Sequence, residues 1–200
     1  EGHIPGDGFH VNPNLIKQTQ QKKKRLSPKI GGYYLTELGN AERLVNKHGA
    51  NLHYCHEWGK WLIWDGNRWI EDKKGAIDQK AKETIRAIYV EAKNSDNPVT
   101  SEMLINHAQR SETANKLHAM INLATSESNI PIVSNELDQQ PWLLTVNNGT
   151  IDLQSGELCQ HKRNDLITKL ARVDYDPDAN CHIWLDFLDK IMSGNQALIT

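Results

Sequence analysis

The apolar residues in the middle of the chain recur at helical spacing, and this pattern restricts the possible folds more than any other feature. Between positions 76 and 93 they occupy every third or fourth position, which places them on one face of an α-helix. The members of this face are Ile77, Ala81, Ile85, Ile88, Tyr89 and Ala92. A helix with one apolar face must bury it, so the fold has to supply elements that cover this face.

Strand patterns lie on both sides of this helix. Residues 61–64 and 68–70 combine aromatic and β-branched side chains, and Asp65-Gly66-Asn67 lies between them. Asp-Gly favours the positive φ of a tight turn, so this stretch predicts a hairpin. Residues 52–55 extend it to a three-stranded meander. Further strands are predicted after the helix, in residues 141–146, 150–153 and 157–159.

Other segments have helical signals. Thr36 or Asn40 is a suitable cap for a short helix that ends at His48-Gly49. Further helices are predicted in residues 100–110, 112–126 and 183–194. The order of elements therefore favours an α+β fold, with a short β-meander, central helices, β-hairpins in the C-terminal half and a final amphipathic helix.

Composition excludes several classes of protein. The 23 basic and 25 acidic residues give a net charge of −2, so bulk charge indicates no particular partner. No window is apolar enough for a membrane span, and the N-terminus lacks the pattern of a signal peptide. Three widely spaced cysteines are poor material for a disulfide framework. We expect a cytoplasmic protein that has no membrane partner.

One charge asymmetry is pronounced. Residues 1–34 are rich in glycine, proline and cations, contain no acid after Asp7, and predict a basic linker or loop. On the long helix, three cations fall within about 40° of one another at about 100° per residue. We expect DNA binding by Lys22, Lys23, Lys24, Arg25, Lys82, Arg86 and Lys93. The alternative is a solvated face, with Asp78 paired to Lys82.

Enzyme signatures are absent from the 200 residues. Neither the phosphate-cradling pattern G-x-x-x-x-G-K-[ST] nor G-x-G-x-x-G nor H-E-x-x-H occurs. Asp174, Asp176 and His182 could form a metal site of a nuclease, but the sequence around them does not complete a calcium loop. The simpler interpretation is that Asp178 or Asn180 caps the final helix. We predict no catalytic residues here.

Two other sets of residues are candidates for ligand binding, the histidines and cysteines for a metal ion and the tryptophans for nucleic-acid bases. The histidines and cysteines lack the spacing of a zinc site, so we predict no metal. The residues in question are the cluster of His53, Cys55 and His56 and the two pairs Cys159 with His161 and Cys181 with His182. The tryptophans Trp58, Trp61, Trp64 and Trp69 could stack bases beside Lys60 and Arg68. Strand alternation instead favours core packing for at least half of these tryptophans.

Several segments together resemble one known family. They are LTELGNAERLVNKHG, WLIWDGNRW, AKETIRAIY, PWLLTVNNGTIDLQSGEL, DLITKLARVDYDP and WLDFLDKI, in this order. They are similar to the accessory domain of phage and plasmid primase-helicases, which also occurs in poxviral primase-helicases. In NGTIDL we interpret Asn148 and Gly149 as hairpin structure, not as chemistry.

The resemblance implies a domain organisation. In that family this domain lies between a primase-polymerase module and a superfamily-three helicase of AAA+ type. Residues 1–34 would then be the linker and residues 35–200 the accessory domain, truncated before the helicase. ATP and Mg would bind in the helicase domain, with no cofactor in this part.

The resemblance also implies a function. We expect a non-catalytic domain that couples primase to helicase in DNA replication, assists ring assembly and guides DNA. Its partners would be DNA, its own primase and helicase domains, and the other copies in a homo-hexamer. The apolar stripe Trp184, Phe187, Leu188 and Ile191 would be an interface, unless it packs inside its own domain. The alternatives are a metal-dependent nuclease or primer-synthesis enzyme, and an oligomerisation collar without DNA contact.

Overall fold

The chain has an α+β fold, as the sequence predicts. The structure is a computed structural model and describes residues 27–195, in which five α-helices and three small sheets occur. These residues divide into two compact units, each made of two stretches of chain. Unit 1 comprises residues 27–48 and Ile77–Glu127, and unit 2 comprises Gly49–Ala76 and residues 128–195. The resemblance predicts one accessory domain over residues 35–200, and this assignment stays a prediction.

Unit 1 is mainly helical. Its elements are β1 (Lys29–Ile30), β2 (Tyr33–Tyr34), α1 (Glu37–His48), α2 (Ala76–Lys93, which begins one residue before this unit), α3 (Pro98–Ser111) and α4 (Ala114–Ala124). The choice between two caps for α1 is settled by Thr36, whose Oγ1 accepts a hydrogen bond from the Gly39 amide at 3.1 Å. Asn97 caps α3, where Pro98 occupies the first helical position.

Asn40, the other proposed cap, lies inside α1 and is 1% exposed. Its Nδ2 donates to the Ser111 hydroxyl at 3.1 Å, and its Oδ1 lies 2.8 Å from Nε2 of His107. Burial, with the nearby charges of Arg43 and Arg110, lowers the pKa of His107, so its imidazole is neutral at neutral pH. This polar cluster joins α1 to α3.

The segment just before residue 35 is structured. Lys29 pairs with Tyr34 and Ile30 with Tyr33 in a small antiparallel hairpin. Gly31 and Gly32, with φ of 59° and 88°, form its turn. A cluster of glycines is thus compatible with a linker and with a hairpin. The two differ in whether the segment packs on another element, and here β2 contacts α1.

Unit 2 contains two sheets and one helix. The first sheet has strands β3 (Leu52–Cys55), β4 (Lys60–Trp64), β5 (Trp69–Glu71) and β6 (Pro131–Ile132) in the order β5-β4-β3-β6. The second has β7 (Leu143–Val146), β8 (Gly149–Asp152) and β9 (Leu158–Cys159), and helix α5 is His182–Ile191. The predicted meander β3-β4-β5 is confirmed, and Gly66 has the positive φ, 109°, that its turn requires. The parallel pairing of β6 with β3 was not predicted.

The turn between β7 and β8 is structural. Asn148 binds the backbone of Tyr175 twice, because its Nδ2 donates to the carbonyl and its Oδ1 accepts from the amide, both at 2.9 Å. A Cβ at Gly149 would lie 2.6 Å from the carbonyl oxygen of Cys159, so the close approach of β9 requires glycine there. In residues 27–195, no helix is long and apolar enough to cross a membrane.

Candidate nucleic-acid interface

Three cations project from one face of α2. The helix buries Ile85 and Ile88, which are 2% and 1% exposed, on its apolar face. Lys82, Arg86 and Lys93 are all exposed beside that face. We call these three residues the α2 ridge. The helix predicted over residues 76–93 is therefore confirmed, and the ridge spacing follows from it.

The α2 ridge is not neutralised by salt bridges. In the described part of the chain, the side chains of Lys82, Arg86 and Lys93 form no ion pair and no hydrogen bond, so the pair considered between Asp78 and Lys82 is not present. Exposed cations that lack a carboxylate partner keep their charge available for phosphate groups.

Two carboxylates of α2 lie next to residues outside the α2 ridge. Glu91 is held by Arg43, whose Nη1 and Nη2 both donate to it. Glu83 lies 3.8 Å from Nε2 of His48. Burial, with the charges of Lys80 and Lys47, lowers the pKa of His48, so its imidazole is neutral at neutral pH and leaves the Glu83 charge uncompensated. Two carboxylates of α2, Asp78 and Glu83, therefore lie near the α2 ridge without pairing with it, and salt screens exposed charges of this kind.

The other cations predicted to bind DNA fall outside the described residues. They are Lys22, Lys23, Lys24 and Arg25, and residues 1–26 are not described by the structure. DNA binding by these four residues and by the α2 ridge stays a prediction.

The tryptophans of the meander differ in burial. Trp69 is 2% exposed, Trp61 and Trp64 are half-buried, and Trp58 is 48% exposed. Core packing is therefore correct for Trp69, whose ring centroid lies 5.6 Å from that of Trp64. Trp58 lies on the surface because it occupies the turn between β3 and β4, where strand alternation does not apply.

The possible metal ligands are not gathered. Within residues 27–195, the structure contains no group of three His, Cys, Asp or Glu side chains that could hold a metal ion. Cys55 is buried, whereas Cys159 and Cys181 are exposed. Burial lowers the pKa of His53, whose Nδ1 lies 3.3 Å from the Ile130 carbonyl oxygen. The Nδ1 of His161 lies 3.1 Å from the Thr150 hydroxyl.

The acidic run before α5 is engaged in local turns. Asp176 accepts a hydrogen bond from the Asp178 amide at 3.0 Å, and Asn180 accepts one from the His182 amide at 3.0 Å. Asp174, Asp176 and His182 do not converge into a three-ligand site. The prediction that Asp178 or Asn180 is the N-cap of α5 is wrong, because Cys181 is the N-cap and makes no side-chain cap hydrogen bond; Asn180, one residue earlier, binds the first turn of the helix.

The apolar stripe of α5 is largely uncovered. Trp184, Phe187 and Ile191 are 56%, 49% and 53% exposed, and Leu188 is half-buried. The rings of Trp184 and Phe187 stack on each other, with centroids 5.5 Å apart. Packing inside unit 2 accounts for little of this stripe, which leaves its apolar area available to a partner.

Most of the chain matches the model of a known protein family. The family model described as "D5 N terminal like" matches residues 41–193, more than half of the chain. The matched range includes the α2 ridge, the meander and α5. A comparison with curated proteins found no match.

Proposed function

The chain belongs to the D5 N terminal like family, the N-terminal region of D5-type primase-helicase proteins, and from this membership we propose that it is a non-catalytic coupling domain that guides DNA and assists assembly of the helicase ring. The phage or plasmid origin, the AAA+ helicase with its ATP and Mg, and the hexamer belong to this proposal as well.

The α2 ridge carries the DNA part of the proposal. Three exposed cations spread along three turns of one helix can follow a phosphate backbone, and none of them is committed to a carboxylate. Phosphate contacts position a protein on DNA without reading its sequence, which suits a domain that guides DNA toward a motor.

We expect replacement of Lys82, Arg86 and Lys93 by Ala to weaken duplex DNA binding about equally for all sequences. The slope of log K against log salt should become less steep by up to about 2.7, at about 0.9 for each phosphate that is no longer neutralised. Fluorescence anisotropy at several salt concentrations measures both quantities. Replacing Lys22, Lys23, Lys24 and Arg25 by Ala tests the N-terminal segment in the same way.

A matched control removes three positive charges that are not clustered. Lys47, Lys162 and Lys169 are all exposed; Lys47 lies on α1, and the other two lie in loops of unit 2, where Lys169 is 3.8 Å from Asp138. Their replacement by Ala should change the salt slope much less than removal of the α2 ridge. Equal slopes for both triple variants would mean that the ridge is only a solvated face and would favour a collar without DNA contact.

The α5 stripe carries the assembly part of the proposal. In the full-length primase-helicase, Trp184→Ala with Phe187→Ala should shift hexamers toward smaller species, because an interface loses two aromatic anchors. Light scattering measures the shift. The same pair of changes in the 200-residue chain should leave its circular dichroism unchanged, since both rings are about half exposed.

The outcome that contradicts this assignment is also specific. Loss of helical circular dichroism in the 200-residue variant, together with unchanged hexamers in the full-length variant, would assign both rings to the fold of unit 2. The variant Trp142→Ala is the control, because Trp142 is 54% exposed and lies outside α5.

A further inference from the structure

A cleft of 840 Å³ opens beside the meander in unit 2. Residues from β4, β5 and the loop after β5 line it, together with the β3-β4 turn and Thr168. It combines aromatic and cationic side chains, among them Trp58, Lys60, Lys73 and Lys74. This combination is typical of surfaces on which unpaired bases stack beside a neutralised backbone.

Trp58 presents its ring to solvent at this cleft. It is 48% exposed and lies in the short turn that Gly59 closes by donating its amide to the His56 carbonyl at 3.2 Å. In the described part of the chain no other aromatic ring contacts it. About half of this large apolar side chain is therefore accessible to a planar ligand.

The charge around the cleft is positive. Four cations and two carboxylates line it, which gives a net charge of +2; these are Lys60, Arg68, Lys73 and Lys74 against Glu71 and Asp72. Both carboxylates already interact with other groups of the protein. Glu71 accepts from Lys60 at 2.9 Å, and Asp72 accepts from the backbone amides of Lys74 and Ala76.

Lys74 differs from its neighbours. It is exposed and its ammonium group forms no ion pair within residues 27–195, whereas Lys73 lies 3.9 Å from Glu71. Exposed pairs at such distances bind weakly, so Lys73 can exchange its partner for a phosphate. The cleft therefore has cations available next to a half-exposed aromatic ring.

We infer that this cleft binds single-stranded DNA, with a base stacked on Trp58 and the backbone phosphates beside Lys73 and Lys74. A duplex does not fit this arrangement, because its bases already stack on one another and cannot reach an external ring. The inference rests on the proposed function in DNA guidance, and it adds a second site, in unit 2, with a preference for the unpaired strand.

The test compares two DNA forms on the same chain. We expect Trp58→Ala to weaken binding of a labelled thymidine oligonucleotide by at least about fivefold, since each stacked base contributes substantially. Binding of a blunt-ended duplex of two complementary strands should stay unchanged, and Trp58→Phe should restore most of the single-strand affinity. Lys74→Glu should also weaken single-strand binding. Fluorescence anisotropy at one fixed salt concentration measures all of these.

The control is Trp142→Ala, which removes another exposed tryptophan of unit 2 that does not line the cleft. Equal single-strand affinities for Trp58→Ala, Trp142→Ala and the unchanged chain would overturn the inference, as would absence of single-strand binding by the unchanged chain. The two proposals can fail separately. If the α2 ridge variant loses duplex binding and Trp58→Ala binds single strands normally, the ridge proposal stands and the cleft inference fails. If Trp58→Ala loses single-strand binding and the ridge variant binds duplex normally, the cleft inference stands and the ridge proposal fails.

Discussion

Replacement of Trp69 by Ala should lower the free energy of unfolding of unit 2 by about 4 kcal/mol, within the range found when large buried aromatic residues are truncated. Trp69 is 2% exposed and packs in a cluster with Cys55, Leu62, Ile132 and Leu137. Its Nε1 also donates to the Arg163 carbonyl at 2.9 Å, a hydrogen bond that Ala cannot form. Urea denaturation followed by circular dichroism measures the destabilisation, and hydrogen exchange of the β4 and β5 amides locates it.

Two further variants separate the causes of this destabilisation. Trp69→Phe keeps most of the buried ring but removes the indole donor, so we expect a smaller cost of roughly 2 kcal/mol. Trp142→Ala removes an exposed ring and should cost less than about 0.5 kcal/mol. Similar stabilities of Trp69→Ala and Trp142→Ala would show that Trp69 is not a core residue.

Replacement of Glu91 by Ala should destabilise unit 1 by about 3 kcal/mol, near the lower end for breaking a buried ion pair. The Arg43 side chain is only 10% exposed and would lose its counter-charge, whereas the Glu91 side chain is 30% exposed, which moderates the cost. Arg43 also donates to the Ile30 carbonyl at 3.2 Å and lies over the Tyr33 ring at 4.7 Å. Chemical denaturation measures the effect, and faster hydrogen exchange in β1 and β2 should accompany it.

Glu102→Ala is the matched control for this prediction. Glu102 is an exposed carboxylate on α3 that forms no ion pair in the described residues. Its removal should change the free energy of unfolding by less than about 0.5 kcal/mol. A decrease in stability in Glu91→Ala no larger than in Glu102→Ala would mean that water replaces Glu91 around the Arg43 guanidinium.

The sequence determined the elements whose signals are local. Apolar spacing predicted helix α2 at the bounds that the structure has, and Asp65-Gly66-Asn67 predicted the turn between β4 and β5. The turn is local because Asp65 Oδ1 itself accepts from the Asn67 and Arg68 amides, at 2.8 and 2.9 Å. Such contacts span only a few residues, so the pattern contains all the information that they need.

The α2 ridge could also be predicted, because helix geometry fixes the angles between Lys82, Arg86 and Lys93. The cleft in unit 2 could not. Lys60 and Lys74 are separated along the chain by two strands and two turns, and the ring of Trp58 could have been buried or exposed. Whether a side chain at a turn faces solvent depends on which other segments pack over it. The sequence near the turn does not determine which segments these are.

Tertiary structure decided the pairings between distant segments. Strand β6 joins β3 in parallel, with Tyr54 opposite Pro131, and Asn148 binds the backbone of Tyr175. Asn40, a suitable helix cap by residue type, is buried because Ser111 and His107 satisfy its amide group. A residue's own pattern gives its preferences, whereas burial and partner choice depend on which distant segments can satisfy its polar groups and cover its apolar surface.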